Sequence, residues 1–160
     1  MKKSVIVLLS LLSFLTACEE EKKEKVVIEP GKISGIEECA LDGMIVGNYP
    51  GPKAQIVYKA DGKQVFFCET KELFYVYAEP GKEAQVAALF VQNTATTDWE
   101  KPVGSWIDAQ KAYYVVGASI QGSMGPTFAP FADRESARPF IKKYGGEIKT
   151  FDEIIKMIGG

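Results

Sequence analysis

The sequence predicts an α+β fold built of two tandem ββαβ units, and three observations carry that prediction. Gln55-Ile-Val-Tyr58 and Gln64-Val-Phe-Phe67 are short β-branched and aromatic runs joined by Ala60-Asp61-Gly62, which is hairpin chemistry. Thr70 to Tyr77 then has helical character, with Glu69 or Thr70 near its start and Pro80-Gly81 beyond its end. The same order of strand, strand, helix and strand recurs after Lys111, so the chain uses one supersecondary unit twice.

From the N-terminus, Met1-Lys2-Lys3 is basic and Ser4 to Phe14 almost wholly apolar, closing on Leu15-Thr16-Ala17-Cys18. Such a segment is a secretory leader, and it is too short to span a bilayer, which takes roughly 20 residues. Leu-Thr-Ala-Cys resembles the lipobox of bacterial lipoproteins, so Cys18 is expected to become the lipidated first residue, palmitate among its acyl chains. Glu19 to Lys25 is charged throughout, so residues 18–33 are expected to form a disordered tether. Residues 34–93 then form the first unit and 94–160 the second, with 33–150 acting as one domain.

In the first unit, Ala84 to Gln92 is expected to be the returning strand, although Glu83 to Ala88 would tolerate a helix. Asn93 to Pro102 is a polar joint flanked by Trp99 and Trp106. Lys111 to Val116 is the clearest strand of the second unit, followed by a loop at Gly122–Pro126 and a strand at Thr127–Phe131 that Pro130 confines to an edge. Asp133 caps a helix from Arg134 to Tyr144, closed by Gly145-Gly146, in which Pro139 calls for a kink or a late start. Glu147–Thr150 is the last strand and Phe151–Ile158 a short final helix.

The chain has no histidine, which excludes the usual His-based zinc, haem and triad sites, and a formal charge of −2, which argues against nucleic acid. Its distinctive chemistry is sulfur. Cys39 and Met44 bracket Asp42-Gly43, a turn pair, and Met124 stands between two glycines on a loop tip. One thiolate and two thioethers make a soft donor set suited to Cu(I). Met44 also has a packing alternative, as a gap-filler in a first strand Met44-Ile-Val46. Cys68 pairs with Cys39 as a disulfide candidate, or stands as a partly buried thiol. That disulfide underlies the competing expectation of a docking lipoprotein without metal. Glu37, Glu38 and Asp42 disfavour a reactive thiolate at Cys39 but suit a cation.

The ordered set Cys39-x-x-Asp-Gly-Met44, Gln55-Ile-Val-Tyr, Val65-Phe-Phe, Leu73-Phe74, Trp106-Ile-Asp-Ala through Val116, Gly122-x-Met-Gly125 and Pro130-Phe131-Ala132 resembles the NosL family of nitrous-oxide-reductase accessory lipoproteins. The likeness runs from about Glu38 to Gly146. It implies a lipid-anchored Cu(I) carrier of the cell envelope, not an enzyme, supplying copper for nitrous oxide reductase assembly in denitrification. It also implies a fold related to organomercurial lyase, in which Cys39, Cys68 and Asp42 would be the residues for carbon–mercury cleavage. The family's cysteine falls on Cys39, its Gly-Met on Met44 and its loop methionine on Met124. Where many members have a second cysteine or a histidine, this chain has Asp42 and Pro126, so Asp42 and Cys68 both stand as candidates for a further ligand.

Overall fold

A computed structural model of the chain describes residues 27–159. The leader, Cys18 and the charged run up to Lys25 lie outside them. Strands β1 (Ala54–Tyr58) and β2 (Gln64–Phe67) form the expected hairpin, with Ile56 opposite Val65. Gly62 at φ 69° makes its turn, and the Asp61 carboxylate accepts the Lys63 amide at 2.9 Å. Helix α1 (Thr70–Tyr77) starts in a capping box, in which the Glu69 side chain accepts the Glu72 amide and the Glu72 side chain accepts the Glu69 amide.

The returning strand starts later than expected. Lys82–Gln85 is a short helical turn, α2, and β3 runs from Val86 to Gln92, so the helical tolerance of this stretch is realised in its first residues. Strand β4 (Trp106–Asp108) has no counterpart among the expected elements; it joins the first sheet beyond the polar joint, giving the antiparallel order β2-β1-β3-β4.

The second sheet is β5 (Tyr113–Val116), flanked by β8 (Ala129–Phe131) and β9 (Glu147–Thr150), order β8-β5-β9 and antiparallel throughout. Pro130 lies on an edge strand, as its missing N–H requires. The Gly122–Pro126 loop is a small hairpin instead, β6 (Gln121–Gly122) and β7 (Gly125–Pro126), with Ser123 and Met124 at its tip. Helix α3 (Arg134–Tyr144) is capped by Asp133, whose carboxylate accepts the Ser136 amide at 2.8 Å. Pro139 sits inside it without delaying its start, on an exposed face where only one backbone bond is forgone. Helix α4 (Phe151–Gly159) ends the described chain. No helix among the described residues is long and apolar enough to cross a membrane.

The main core belongs to both sheets. Ile56, Phe67, Leu73, Phe74, Leu89 and Val91 pack with Ala109, Tyr114, Phe151 and Ile154. Phe74 stands at its centre, edge-on to Tyr114 at 5.0 Å and tilted against Phe151 at 4.9 Å. A second cluster seats α3 on β5 and β8 through Phe131, Ala137 and Val115. Trp99 in the joint packs on Phe140 at 5.8 Å and donates to the Gln121 carbonyl at 3.2 Å, tying the joint to the second half.

The chain is fastened earlier than the tether boundary at Ile33 implies. Gly31 exchanges two hydrogen bonds of 2.8 Å with the buried Gln55 amide, and Gln64 donates to the Glu29 carbonyl at 3.0 Å. The segment therefore joins the folded body by Gly31.

Candidate metal centre

Cys39 is placed by a tight loop. Its amide donates to the Met44 carbonyl at 2.7 Å, its carbonyl accepts the Gly43 amide at 2.9 Å, and Gly43 takes φ 74°. The Asp42 carboxylate accepts the Met44 amide at 3.0 Å, so Asp42-Gly43 forms the turn its residue types dictate. A first strand at Met44–Val46 does not form: Ile45 makes a single bridge to Glu38 and Val46–Asn48 is a 3-10 turn. Cys39 itself bridges in parallel to Phe66 at the end of β2, with the Ala40 amide on the Phe66 carbonyl at 2.8 Å. That bridge brings its sulfur beside Cys68, two positions beyond Phe66.

The outcome is a cluster. One donor atom from each of Cys39, Asp42 and Cys68 lies within 4.8 Å of the other two. Both cysteines are buried and both are free thiols, so the expected disulfide alternative is not the state of this structure. Met44, half-buried, packs with Ile33, Tyr49 and Phe66 around Cys39, Val46 and Cys68. Asp42 is exposed and forms the open side of the group. The Met124 hairpin lies against the adjoining residues: Ser123 Oγ donates to the Cys68 carbonyl at 3.3 Å, and the Met124 amide donates to Glu69 Oε1. The Met124 side chain is exposed.

Three residues of this region were not read as part of the site in the sequence. Glu72 is 4% exposed, and its Oε2 accepts the Cys39 thiol at 3.4 Å. Glu69, 1% exposed, holds the Met124 amide. Lys53 is fully buried, and its ammonium donates to the carbonyls of Tyr49 (2.7 Å), Pro50 (3.1 Å) and Cys68 (3.0 Å). The acidic pair spaced by three residues at a helix start is a legible capping signal; nothing local marks Lys53.

Burial governs the electrostatics. It pushes the Cys39 thiol above its ordinary value, against the amides of Leu41, Cys68 and Asp42 that favour the thiolate. It pushes Cys68 up to about 12, with Cys39 and Glu72 adding to the shift. Burial also raises the Glu72 carboxyl and lowers the Lys53 ammonium to about 8. Cys39 is thus a resting thiol, as expected, but desolvation and Glu72 hold it there rather than Glu37 or Glu38. Glu37 is engaged elsewhere, accepting the Ser34 hydroxyl at 2.5 Å.

The family model described as NosL matches residues 30–158. The chain belongs to the NosL family. The copper-binding lipoprotein NosL of Stutzerimonas stutzeri is 39% identical over 146 residues, covering 90% of this chain and 76% of that protein. Its namesake from Achromobacter cycloclastes is 28% identical over 153 residues, covering 93% and 78%. The crystal structure of the copper chaperone NosL from Shewanella denitrificans superposes with a TM-score of 0.75 at 35% identity, covering 79% of this chain and 96% of that one. The mixed fold is therefore that of solved NosL.

Proposed function

We propose that this chain carries Cu(I) in the cell envelope, held to a membrane through Cys18, and supplies it during assembly of nitrous oxide reductase. Copper is cargo in this reading. The names of the NosL relatives, copper-binding lipoprotein and copper chaperone, support it. The observation that carries it is the convergence of two thiols, Cys39 and Cys68, with the exposed Asp42 at their open side.

Cys39 is the anchoring thiolate of this reading, with Met44 and Met124 as thioether donors. Thioethers add affinity without charge and suit Cu(I), whereas the Asp42 oxygen is a hard donor that attracts a cation without holding this one. Cys68 offers a second thiolate, whose extra negative charge the Lys53 ammonium on its own carbonyl would offset. The arriving ion displaces the Cys39 proton, and Glu72, already accepting that thiol at 3.4 Å, is placed to receive it and relay it to solvent. A site open at Asp42 and Met124 lets a partner's ligands replace these one at a time.

In a Cu(I) competition titration the delipidated protein should take up an equivalent of copper, and Cys39→Ser should lose it. Wild-type affinity in Cys39→Ser, or a quantitative disulfide with no uptake, would sink the carrier reading. A deletion strain should make nitrous oxide reductase that lacks copper; a fully metallated enzyme there removes the delivery role.

The convergence of Cys39, Cys68 and Asp42 is also the set that carbon–mercury cleavage would need. Thiols raised above their ordinary range are poor nucleophiles at neutral pH, which favours binding over catalysis. Release of hydrocarbon from an organomercurial substrate, lost in Cys39→Ser, would reverse that preference.

A further inference from the structure

We propose that Glu69 is a positioning residue of the copper site, acting on copper through the Met124 hairpin; this rests on the reading of Met124 as a ligand. Glu69 is 1% exposed, and a carboxylate so buried must be matched by partners. Its Oε1 accepts the Met124 amide, and the Lys71 ammonium lies 3.2 Å from its Oε2. Within the capping box the Glu72 side chain returns to the Glu69 amide at 3.1 Å, and the same Glu72 oxygen accepts the Cys39 thiol at 3.4 Å. The first turn of α1 thus grips the Cys39 loop with one carboxylate and the Met124 hairpin with the other.

The hairpin depends on that grip. Strands β6 and β7 are two residues each and pair with each other alone among the described strands. A ribbon so short has no stability of its own. Its remaining ties are the Ser123 hydroxyl on the Cys68 carbonyl, the Trp99 indole on the Gln121 carbonyl and the Lys71 ammonium on the Pro126 carbonyl at 2.8 Å. Gly122 shows how close the approach is: a Cβ there would stand 2.9 Å from Glu69 Oε1 and 3.0 Å from Thr127 Cβ. The bond from Glu69 falls on the backbone of the residue that bears the thioether, so losing the carboxylate frees the sulfur's own main chain. Partners that orient a metal ligand from behind typically change affinity roughly 10–100-fold.

The test is a double-mutant cycle in Cu(I) affinity on the full delipidated chain, with Glu69→Ala, Met124→Leu and the pair. Glu69→Ala should weaken binding roughly 10–100-fold, while Glu69→Gln, which keeps an oxygen for the amide and the cap, should restore most of it. In the Met124→Leu background Glu69→Ala should add no further loss, and copper-edge absorption should show fewer sulfur neighbours in Glu69→Ala. A Met124→Leu protein with full affinity overturns the ligand reading and the inference with it. Loss in Met124→Leu together with full affinity in Glu69→Ala, or losses that simply multiply in the pair, overturns the inference alone. Should Glu69→Ala fail to fold, Gly122→Ala probes the same contact from the hairpin side, and full affinity in a folded Gly122→Ala overturns it equally.

Discussion

Cys39 and Cys68 sit within reach of each other, yet burial keeps both protonated at rest. Every thiolate that copper takes must therefore release a proton. Cu(I) affinity should rise with pH by on the order of tenfold per unit if Cys39 alone is displaced, and on the order of 100-fold if Cys68 joins it. Competition titrations from about pH 6 to 8 measure that slope, and a flat profile would exclude thiolate binding. For the metal-free fold the sign is separate. Cys68 is raised from 9.0 to about 12, so its contribution to stability is complete below the lower value and is lost as pH rises through the upper one. At this scale the sulfurs were legible, because few residue types can hold a soft ion. Glu72 was not: its contact with Cys39 spans 33 residues and depends on how β2 delivers the loop.

Elements announced themselves where local chemistry was strong. The Asp61-Gly62 turn, the capping box at Glu69 and the Asp133 cap stand where their residue types demand. Asp133→Ala should cost about 1 kcal/mol of unfolding free energy, read by urea denaturation. Gly146 is a harder constraint: it takes φ 97°, and a Cβ there would meet the Val116 carbonyl oxygen at 2.7 Å. Gly146→Ala should therefore cost more than the loss of the cap; equal costs would mean that the Gly145-Gly146 corner relaxes freely. Illegible elements were those that owe their state to a neighbour. Trp106-Ile-Asp108 is too short to show a period, and it is a strand because β3 offers an open edge. The β6–β7 hairpin is built on glycines, which carry no strand signal, and α1 holds it from outside.

At the scale of the molecule, the chain reads as two units but packs as one. The two sheets share the order of a central strand between its hairpin mate and its returning strand, yet Phe74 of the first half is buried against Tyr114 and Phe151 of the second. Strand β4, from beyond residue 93, completes the first sheet. Thermal unfolding should accordingly be a single transition, coincident by circular dichroism and tryptophan fluorescence, and a fragment of residues 34–93 should not fold alone. A folded fragment would show that the shared core is dispensable. Copper that binds the native state should raise the midpoint, by an amount equivalent to at most about 4.1 kcal/mol at a thousandfold excess over the dissociation constant, less whatever the thiols of the unfolded chain bind. The order of most elements was legible in the sequence; the common core was not, because Phe74 and Phe151 show their partnership only once the sheets are stacked.

The sulfur atoms proposed as copper donors differ sharply in their contact with solvent. Cys39 and Cys68 are 3% and 0% exposed, while Met124 is 56% exposed at its hairpin tip. Peroxide would reach the thioether first, and its sulfoxide is a polar group that enzymatic repair reverses. Damage to the proposed donor set would then begin at the exposed thioether and spare the buried thiols. Met157 on α4, 49% exposed, provides an internal reference. Peptide mapping after peroxide should find both methionines modified in the apo-protein, with copper protecting Met124 and leaving Met157 as reactive as before.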